Sequence, residues 1–218
     1  MQNQNNSGLA AHAYKQMRQA ILKGEHAPGA VLFESHLAEK LGMSRTPIRE
    51  ALQVLARDGF VEIVPNRGYF VPRMSLSDVR ELYELRESLE GFATRCATLR
   101  VTDTEIAELV LLFEKYERAQ TWEAWVEVGT AFHNRITSLA CNKRLTTFLD
   151  SLNAQISMTR QTQLRDVRGR REESVQEHRA ILDAIKQRDP DAAEKHARAH
   201  VRLSYEATIR GFHSGHQL

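Results

Sequence analysis

The chain has 218 residues, 42% of them hydrophobic, and its 30 Lys and Arg against 28 Asp and Glu give a net charge of +2. This balance excludes a disordered or fibrous protein and suits one or two globular domains. The most apolar stretch, 106–113, is short and contains Glu108, so no membrane span is predicted. The polar start, MQNQNNSG, lacks the apolar run of a signal peptide. With two widely spaced cysteines, Cys96 and Cys141, we expect reduced thiols and a cytoplasmic protein.

The positive charge is concentrated at the N-terminal end. Residues 1–74 contain nine Lys and Arg against six Asp and Glu, whereas the remainder is nearly neutral. A basic segment joined to a neutral one is typical of a nucleic-acid-binding module attached to a second module.

The first quarter of the chain predicts two helices and a turn. Residues 1–8 are expected to form a disordered tail, and a first helix follows from Leu9 to about Gly24. A Pro-Gly turn then leads into a short apolar run that could pair with a later hairpin. The segment ESHLAEKL reads as a second helix, which Gly42 can end in a left-handed conformation.

The next segment, 44–55, predicts a short helix with one apolar and one polar face. Ser44 can cap its N-terminus, and Pro47 falls in the first turn, where its missing N–H costs nothing. Apolar side chains recur at helical spacing on one side. The opposite side begins with Arg45, Thr46 and Arg49. Two short helices joined by a tight turn, with basic side chains opening the second, are typical of a helix-turn-helix that reads the DNA major groove.

A β-hairpin is predicted directly after this helix. Residues 61–64 and 69–71 read as two strands, and Pro65, Asn66, Arg67 and Gly68 form the turn between them. The composition changes near residue 73, because four of the five prolines lie at or before Pro72. We therefore predict a mainly α protein with an N-terminal winged helix-turn-helix over 9–73 and a C-terminal all-α antiparallel bundle over 74–218.

Six helices are predicted in the second domain. The second of them opens with a capping box, in which Thr102 and Glu105 are three residues apart. The expected ranges are about 75–100, 102–118, 121–140, 143–162, 166–187 and 189–211.

Three histidines fall on apolar faces of these helices. His178 shares a face with Ile181, Leu182 and Ile185, and His133 and His200 have similar settings. Three imidazoles that converge in one bundle would form a site for Zn, Ni, Fe or Mn. Three separate, internally hydrogen-bonded core histidines are the alternative.

The segment LAEKLGMSRTPIREALQVLARDGFVEIVPNRGYFV resembles the winged helix-turn-helix of the GntR superfamily of bacterial transcription regulators. The resemblance implies DNA contacts from a set of residues in the recognition helix and at the hairpin tip. These are Ser44, Arg45, Thr46, Arg49, Asn66, Arg67 and Gly68.

The second half is similar to the effector-binding, dimerising domain of the FadR branch, with six helices as in its vanillate-regulator type. There, the positions of His133, His178 and His200 are metal ligands, and an acidic residue one turn before the first histidine completes the set. Here that position is Gly129, so water, the effector or Glu127 would have to replace the acid, or metal binding has been lost.

A small carboxylate effector would suit such a site, because a carboxylate can coordinate the metal and displace water. Arg86 occupies a position where an arginine often faces the ligand cavity, although a surface ion pair with Glu90 at i+4 explains it equally well. Asn153 and Arg160 are further candidates for effector contacts.

We therefore expect a ligand-responsive repressor that binds a palindromic operator in double-stranded DNA as a homodimer and is not an enzyme. One alternative is a DNA-binding protein without an effector. The other is a metal hydrolase with three histidine ligands and an accessory DNA-binding head.

Overall fold

The computed structural model describes the backbone of residues 2–163 and 169–214 and the side chains of residues 8–158 and 169–212. Within these ranges the chain forms nine α-helices and one small antiparallel sheet. In chain order the elements are α1 (Gln2–Leu22), β1 (Val31–Leu32), α2 (Glu34–Leu41), α3 (Arg45–Arg57), β2 (Glu62–Val64), β3 (Gly68–Phe70), α4 (Leu76–Thr98), α5 (Asp103–Arg118), α6 (Trp122–Leu139), α7 (Lys143–Gln163), α8 (Arg170–Lys186) and α9 (Pro190–Ser214).

The chain folds into two compact units. One comprises Met1–Ser77 with Ala154–Gln161, and the other comprises Asp78–Asn153 with Thr162–Leu218. This division differs from the predicted domains, 9–73 and 74–218, at residues 74–77 and 154–161. The mainly α fold class is confirmed, with a winged helix-turn-helix followed by an all-helical bundle.

The first unit contains the helix-turn-helix and its wing. Gly42 ends α2 with a φ of 64°, as predicted, and α3 follows after two residues. The strand order is β1-β3-β2, and Val31 pairs with Phe70, so the apolar run after α1 does pair with the hairpin. A shared core holds the helices against the sheet. Its fully buried side chains include Ile48, Leu52, Leu55 and Phe60.

The structure differs from two local predictions for this unit. Residues 2–8, expected to lie in a disordered tail, form the start of α1, which begins at Gln2. Once a helix has nucleated, each added residue gains a hydrogen bond, and this polar segment contains no proline to stop it. Ser44 occupies the N-cap position of α3, but its side chain makes no capping hydrogen bond.

The second unit is a bundle built from the six predicted helices, α4–α9. Thr102 and Glu105 form the predicted capping box at the start of α5, and α9 begins at Pro190 as expected. The predicted start of α8 at residue 166 lies outside the described residues; α8 begins at Arg170, after Gly169. The main core joins α5, α6, α8 and α9. Its most deeply buried side chains include Leu109, Phe132, Ile181, Ile185 and Ala193.

The capping box gives a direct test of how α5 is anchored. Thr102→Ala removes the side chain that accepts from the Glu105 N–H, and this should lower the free energy of unfolding by about 1 kcal/mol. Thr104→Ala is the matched control, because Thr104 is exposed on the same turn and should change stability by no more than about 0.5 kcal/mol. Urea unfolding followed by circular dichroism measures both, and equal effects would contradict a specific role for the cap.

Candidate nucleic-acid interface and metal centre

The recognition helix α3 separates its apolar and polar faces as predicted. Ile48, Leu52 and Leu55 are fully buried, whereas Arg45 and Thr46 at its first turn are exposed. Helix packing therefore fixes α3 from behind and leaves its N-terminal polar side chains facing solvent. Exposed donors on a rigid helix are the arrangement that groove recognition requires.

Arg49 makes a two-pronged ion pair within the helix-turn-helix. Its Nε donates to Glu34 Oε1 and its Nη2 donates to Glu34 Oε2, each over 2.8 Å. The hydrogen bond from Arg49 lowers the pKa of Glu34 below its ordinary value. The Arg49 side chain is 58% exposed, and two of its five N–H donors serve Glu34. The other three can reach a base or a phosphate.

The wing carries three exposed candidate residues at its tip. Asn66 has a φ of 61° and Gly68 a φ of 101°, so this tight turn uses left-handed backbone at both positions. Arg67 lies between them, and its N–H donates to the Val64 carbonyl over 3.0 Å. The backbone bonds of the turn therefore hold the Arg67 side chain out toward solvent.

The second unit brings the three predicted histidines together. His133 from α6, His178 from α8 and His200 from α9 form a cluster whose potential ligand atoms all lie within 4.8 Å of one another. The Nε2 atoms of His133 and His178 are 2.8 Å apart. His178 and His200 are each only 3% exposed. The structure therefore favours convergence over three separate core histidines.

Each ring of this histidine cluster is held at its Nδ1 atom by an acceptor. His133 Nδ1 lies 3.3 Å from Glu90 Oε2, and His200 Nδ1 lies 2.7 Å from Glu177 Oε2. His178 Nδ1 lies 2.6 Å from the backbone carbonyl of Ser174. Such contacts place the proton on Nδ1 and leave Nε2 with a lone pair.

Burial keeps the His178 and His200 rings neutral. It lowers the pKa of His178 and of His200 well below the ordinary histidine value, and the neighbouring histidines add to the effect. Neutral imidazoles with outward Nδ1–H bonds and inward Nε2 atoms are the donor set that binds transition metals. The residues present therefore fit a metal ion with three histidine ligands.

The position one turn before His133 has no room for a fourth ligand. Gly129 is buried, and a Cβ built there would lie 2.9 Å from Cε2 of Tyr116. The Tyr116 hydroxyl lies 2.9 Å from Ser174 Oγ, which fixes its ring in that space. Glu127 is exposed and does not belong to the cluster. Among the side chains that the structure describes, none besides the three histidines is in place as a ligand, which leaves room for water or a bound molecule.

Two ion pairs surround the histidine cluster. Arg86 Nε donates to Glu90 Oε1 over 2.7 Å, and Arg170 contacts both oxygens of Glu177 at 2.6 and 2.8 Å. Burial would raise the pKa of Glu90, but the positive charge of Arg86 and the contact with His133 hold it well below its usual range. Each carboxylate that orients a histidine is therefore neutralised by its own guanidinium.

Arg86 faces the interior of the bundle. The sequence leaves open a surface ion pair with Glu90, and the pair does form, but Arg86 is only 1% exposed. Its Nη1 is buried and has no hydrogen-bond partner among the described residues. A buried unpaired donor on a guanidinium costs free energy, so this atom indicates a place for an acceptor.

The comparisons with known proteins agree with both halves of this description. Residues 9–71 match the family described as bacterial regulatory proteins, gntR family, and residues 81–203 match the FCD domain. The Nta operon transcriptional regulator of Aminobacter aminovorans is 32% identical over 184 residues, which cover 84% of this chain and 86% of that protein.

This chain belongs to the gntR family of bacterial regulators. The HTH-type transcriptional repressor RspR of Escherichia coli K12 is 28% identical over 192 residues, covering 86% of this chain and 83% of RspR. The solved structure of E. coli McbR/YncC has the same fold, with a TM-score of 0.80, 24% identity and coverage of 94% and 98% of the two chains. This gntR-family chain is therefore a transcriptional regulator with a DNA-binding helix-turn-helix, the conclusion that its relatives and its two matched domains support.

The structure adds no support for Asn153 or Arg160 as effector-binding residues of this gntR-family regulator. Asn153 is half-buried on α7 and makes no hydrogen bond to the described residues of the histidine cluster. The side chain of Arg160 lies outside the described residues. Among the helices that the structure describes, none is long and apolar enough to cross a bilayer.

Sequence reasoning missed several residues around the histidine cluster. Glu177, Arg170 and Ser174 all lie on α8, four to eight residues before or next to His178, and Tyr116 comes from α5. The spacing of Ser174 and Arg170, four and eight residues before His178, was a usable signal, because residues at i−4 share its face. The pairing of Glu34 with Arg49 joins two helices and had no such local signal.

Because Gly129 is tightly packed, replacing it with alanine should destabilise the protein, although alanine favours helices more than glycine does. Gly129→Ala should lower the free energy of unfolding by about 1–3 kcal/mol, because overpacking against Tyr116 outweighs the gain of about 1 kcal/mol in helix propensity. Thr130→Ala, at the exposed neighbouring position, should change it by no more than about 0.5 kcal/mol. Urea unfolding measures both, and a more stable Gly129→Ala would show that the Tyr116 ring does not fill this space.

Proposed function

We propose that this protein is a metabolite-responsive repressor that binds a palindromic operator as a homodimer and loses affinity for DNA when a small carboxylate binds in the helical unit. The observation that carries the effector assignment is the buried, unpaired Nη1 of Arg86 beside three converging imidazoles. This arrangement supplies a guanidinium donor and open metal positions, while its two carboxylates, Glu90 and Glu177, are already paired with arginines.

The charge balance of the helical unit supports a carboxylate over a neutral ligand. Glu90 and Glu177 are already neutralised by Arg86 and Arg170, and burial keeps His178 and His200 neutral, so a divalent metal would leave an excess of positive charge. A buried excess charge is costly unless it is paired. A small organic acid could supply one oxygen to the metal and another to Arg86.

The metal would act here as a binding group and not as a catalytic one. When bound, it supplies a Lewis-acidic anchor for a carboxylate oxygen. Neither Glu90 nor Glu177 is placed to act as a general base, since each is held by an arginine and a histidine. This supports a sensor over a hydrolase, as do relatives that are named transcriptional regulators.

The DNA side of the proposal uses the exposed residues of α3 and the wing. Arg45, Thr46 and Arg49 would enter the major groove, with Ser44 at the adjacent phosphate and the wing tip at the neighbouring backbone or minor groove. The name of RspR as a repressor supports repression over activation. Action on chromosomal operators would place the protein in the cytoplasm.

Effector control would work through α4. This helix follows the first unit directly in the chain and carries Arg86, so a ligand that binds Arg86 changes the preferred position of α4. The ligand can weaken DNA binding only by as much as it prefers the conformation that does not fit the operator.

The role of Arg45 is testable with a matched arginine on the same helix. Arg45→Ala should weaken operator binding by about 1–3 kcal/mol if the side chain reads a base, and it should also flatten discrimination between operator and random DNA. Arg57→Ala is the control, because Arg57 is an exposed arginine at the opposite end of α3. Fluorescence anisotropy at fixed salt measures the operator affinity of both variants. An equal loss of affinity in the two would show that Arg45 contributes only non-specific electrostatic attraction.

The metal and effector assignments are tested together on the full-length protein. We expect about one transition-metal ion per chain by elemental analysis, lost in His178→Ala and retained in His196→Ala, a half-buried histidine of α9 outside the cluster. In a thermal-shift screen of small organic acids, we expect at least one acid to raise the melting temperature of the metal-loaded protein.

Arg86→Lys tests effector binding, since it keeps the positive charge beside Glu90 but removes the planar guanidinium group that can donate two parallel hydrogen bonds. The proposal requires that an acid which stabilises the native protein also releases it from operator DNA, and that Arg86→Lys weakens both effects. An operator affinity that no acid changes would favour the effector-independent alternative.

A further inference from the structure

A buried arginine opens α8. Arg170 is the first residue of this helix, yet its side chain is only 3% exposed. The dipole of a helix disfavours a positive charge at its N-terminus, and burial of a charge adds a desolvation cost. An arginine in this place lowers stability unless its contacts compensate, so those contacts indicate what the residue does.

The guanidinium of Arg170 grips one carboxylate with two hydrogen bonds. Its Nη1 donates to Glu177 Oε1 over 2.6 Å, and its Nη2 donates to Glu177 Oε2 over 2.8 Å. The Nη2 atom also donates to Ser204 Oγ of α9 over 3.0 Å. Rotation of the Glu177 carboxylate would break both bonds to the planar guanidinium, so its direction is fixed.

The carboxylate that Arg170 holds orients one histidine of the cluster. Glu177 Oε2 lies 2.7 Å from His200 Nδ1. Ser204 lies four residues after His200 on α9, so Arg170 also contacts α9 one turn away from that histidine. Arg170, Glu177 and His200 therefore form a continuous series of contacts, which we call the Arg170 triad.

The contacts of Arg170 differ from those of Arg86. Arg86 donates through Nε to Glu90, which lies 3.3 Å from His133 Nδ1. The Nη1 atom of Arg86 is buried and has no hydrogen-bond partner among the described residues. Both terminal nitrogens of Arg170, in contrast, have acceptors within the chain. Arg86 therefore keeps a donor for a bound molecule, whereas Arg170 is suited to holding its neighbours in place.

We propose that Arg170 is a positioning residue for the metal centre, which sets metal affinity by fixing Glu177 against His200. This inference rests on the proposed metal site and assigns a role to a residue outside its ligand set. A carboxylate that accepts from the Nδ1–H of a histidine ligand fixes the direction of the ring and makes its Nε2 a stronger donor. Arg170 acts one step further out, because it holds that carboxylate.

Orientation of His200 is especially important in this helical unit. Among the side chains that the structure describes, only His133, His178 and His200 are placed as a ligand set. A His200 ring turned away from the cluster would remove one of three donors, and no other described side chain is in place to replace it. The contacts of Arg170 should therefore have a measurable effect on metal affinity.

The test measures the dissociation constant of Zn²⁺ from the full-length protein by competition with a chromogenic chelator. Arg170→Lys keeps the positive charge but loses the fork, so Glu177 can turn away from His200 and Zn²⁺ should bind about 10-fold more weakly. Glu177→Gln should weaken binding by about 10–100-fold, because His200 loses its charged acceptor. Arg179→Lys is the control, since Arg179 lies on the same helix, pairs with Glu117 and should leave the constant unchanged.

A double variant separates positioning from a general loss of packing. If Arg170 acts through Glu177, Arg170→Lys should weaken Zn²⁺ binding by less than about 2-fold once Glu177 is replaced by glutamine. Damage to packing would weaken binding by the same factor in both backgrounds. Equal losses in the two backgrounds, or native Zn²⁺ affinity in Arg170→Lys, would overturn the proposal.

An apolar pair keeps the test decisive if a single variant does not fold. R170M/E177M replaces the buried ion pair with apolar side chains of similar length, a change that usually preserves folding. Circular dichroism and urea unfolding of the metal-free protein check this. The pair should bind Zn²⁺ at least about 10-fold more weakly at undiminished stability, and native affinity would show that the Arg170 triad does not set it.

These outcomes separate the role of Arg170 from the metal centre itself. A native protein that does not bind Zn²⁺ contradicts the metal centre and the role of Arg170 together. A native protein that binds Zn²⁺, with Arg170→Lys and R170M/E177M binding it equally well, contradicts only the role of Arg170.

Discussion

The helical unit depends on how three imidazoles are held in one small buried volume. Each ring is fixed at Nδ1 by a carboxylate or a backbone carbonyl, and this turns the Nε2 atoms toward one another. In His133 and His178 these atoms are only 2.8 Å apart. Two lone pairs at this distance repel in a low-dielectric interior, and burial opposes protonation of His178. The packing of α6, α8 and α9 therefore makes a site that is most stable around a cation.

Much of this arrangement follows from local sequence patterns. The helix-turn-helix, the wing and the six later helices are visible in the sequence because capping residues, glycines and apolar periodicity act over a few residues. The three histidines are also predictable, since each shares a face with apolar neighbours. What the sequence does not reveal is pairing between distant segments. Glu177 reaching His200, Tyr116 filling the space at Gly129, and Glu34 holding Arg49 all depend on tertiary packing.

Gly129 shows how a missing side chain can be informative. A glycine in the middle of α6 lowers helix stability, and no turn at this position requires a glycine. Its neighbour explains it, because the Tyr116 ring stacks against Trp125 and lies with its centroid 4.7 Å from that of the His178 ring. The aromatic ring has taken the volume that an acidic ligand would need. Under the proposed function, the exchangeable acid would supply the ligand for which the chain itself has no room at this position.

The ion pair between Arg49 and Glu34 has a consequence for how the protein searches a genome. Lysine and arginine that face solvent attract any phosphate backbone, whatever the sequence. If Arg49 contacts DNA as proposed, its ion pair with Glu34 reduces this sequence-independent attraction, while its three remaining N–H donors stay available to a base. Under the proposed function, the helix-turn-helix would then owe a larger share of its DNA affinity to contacts with specific bases.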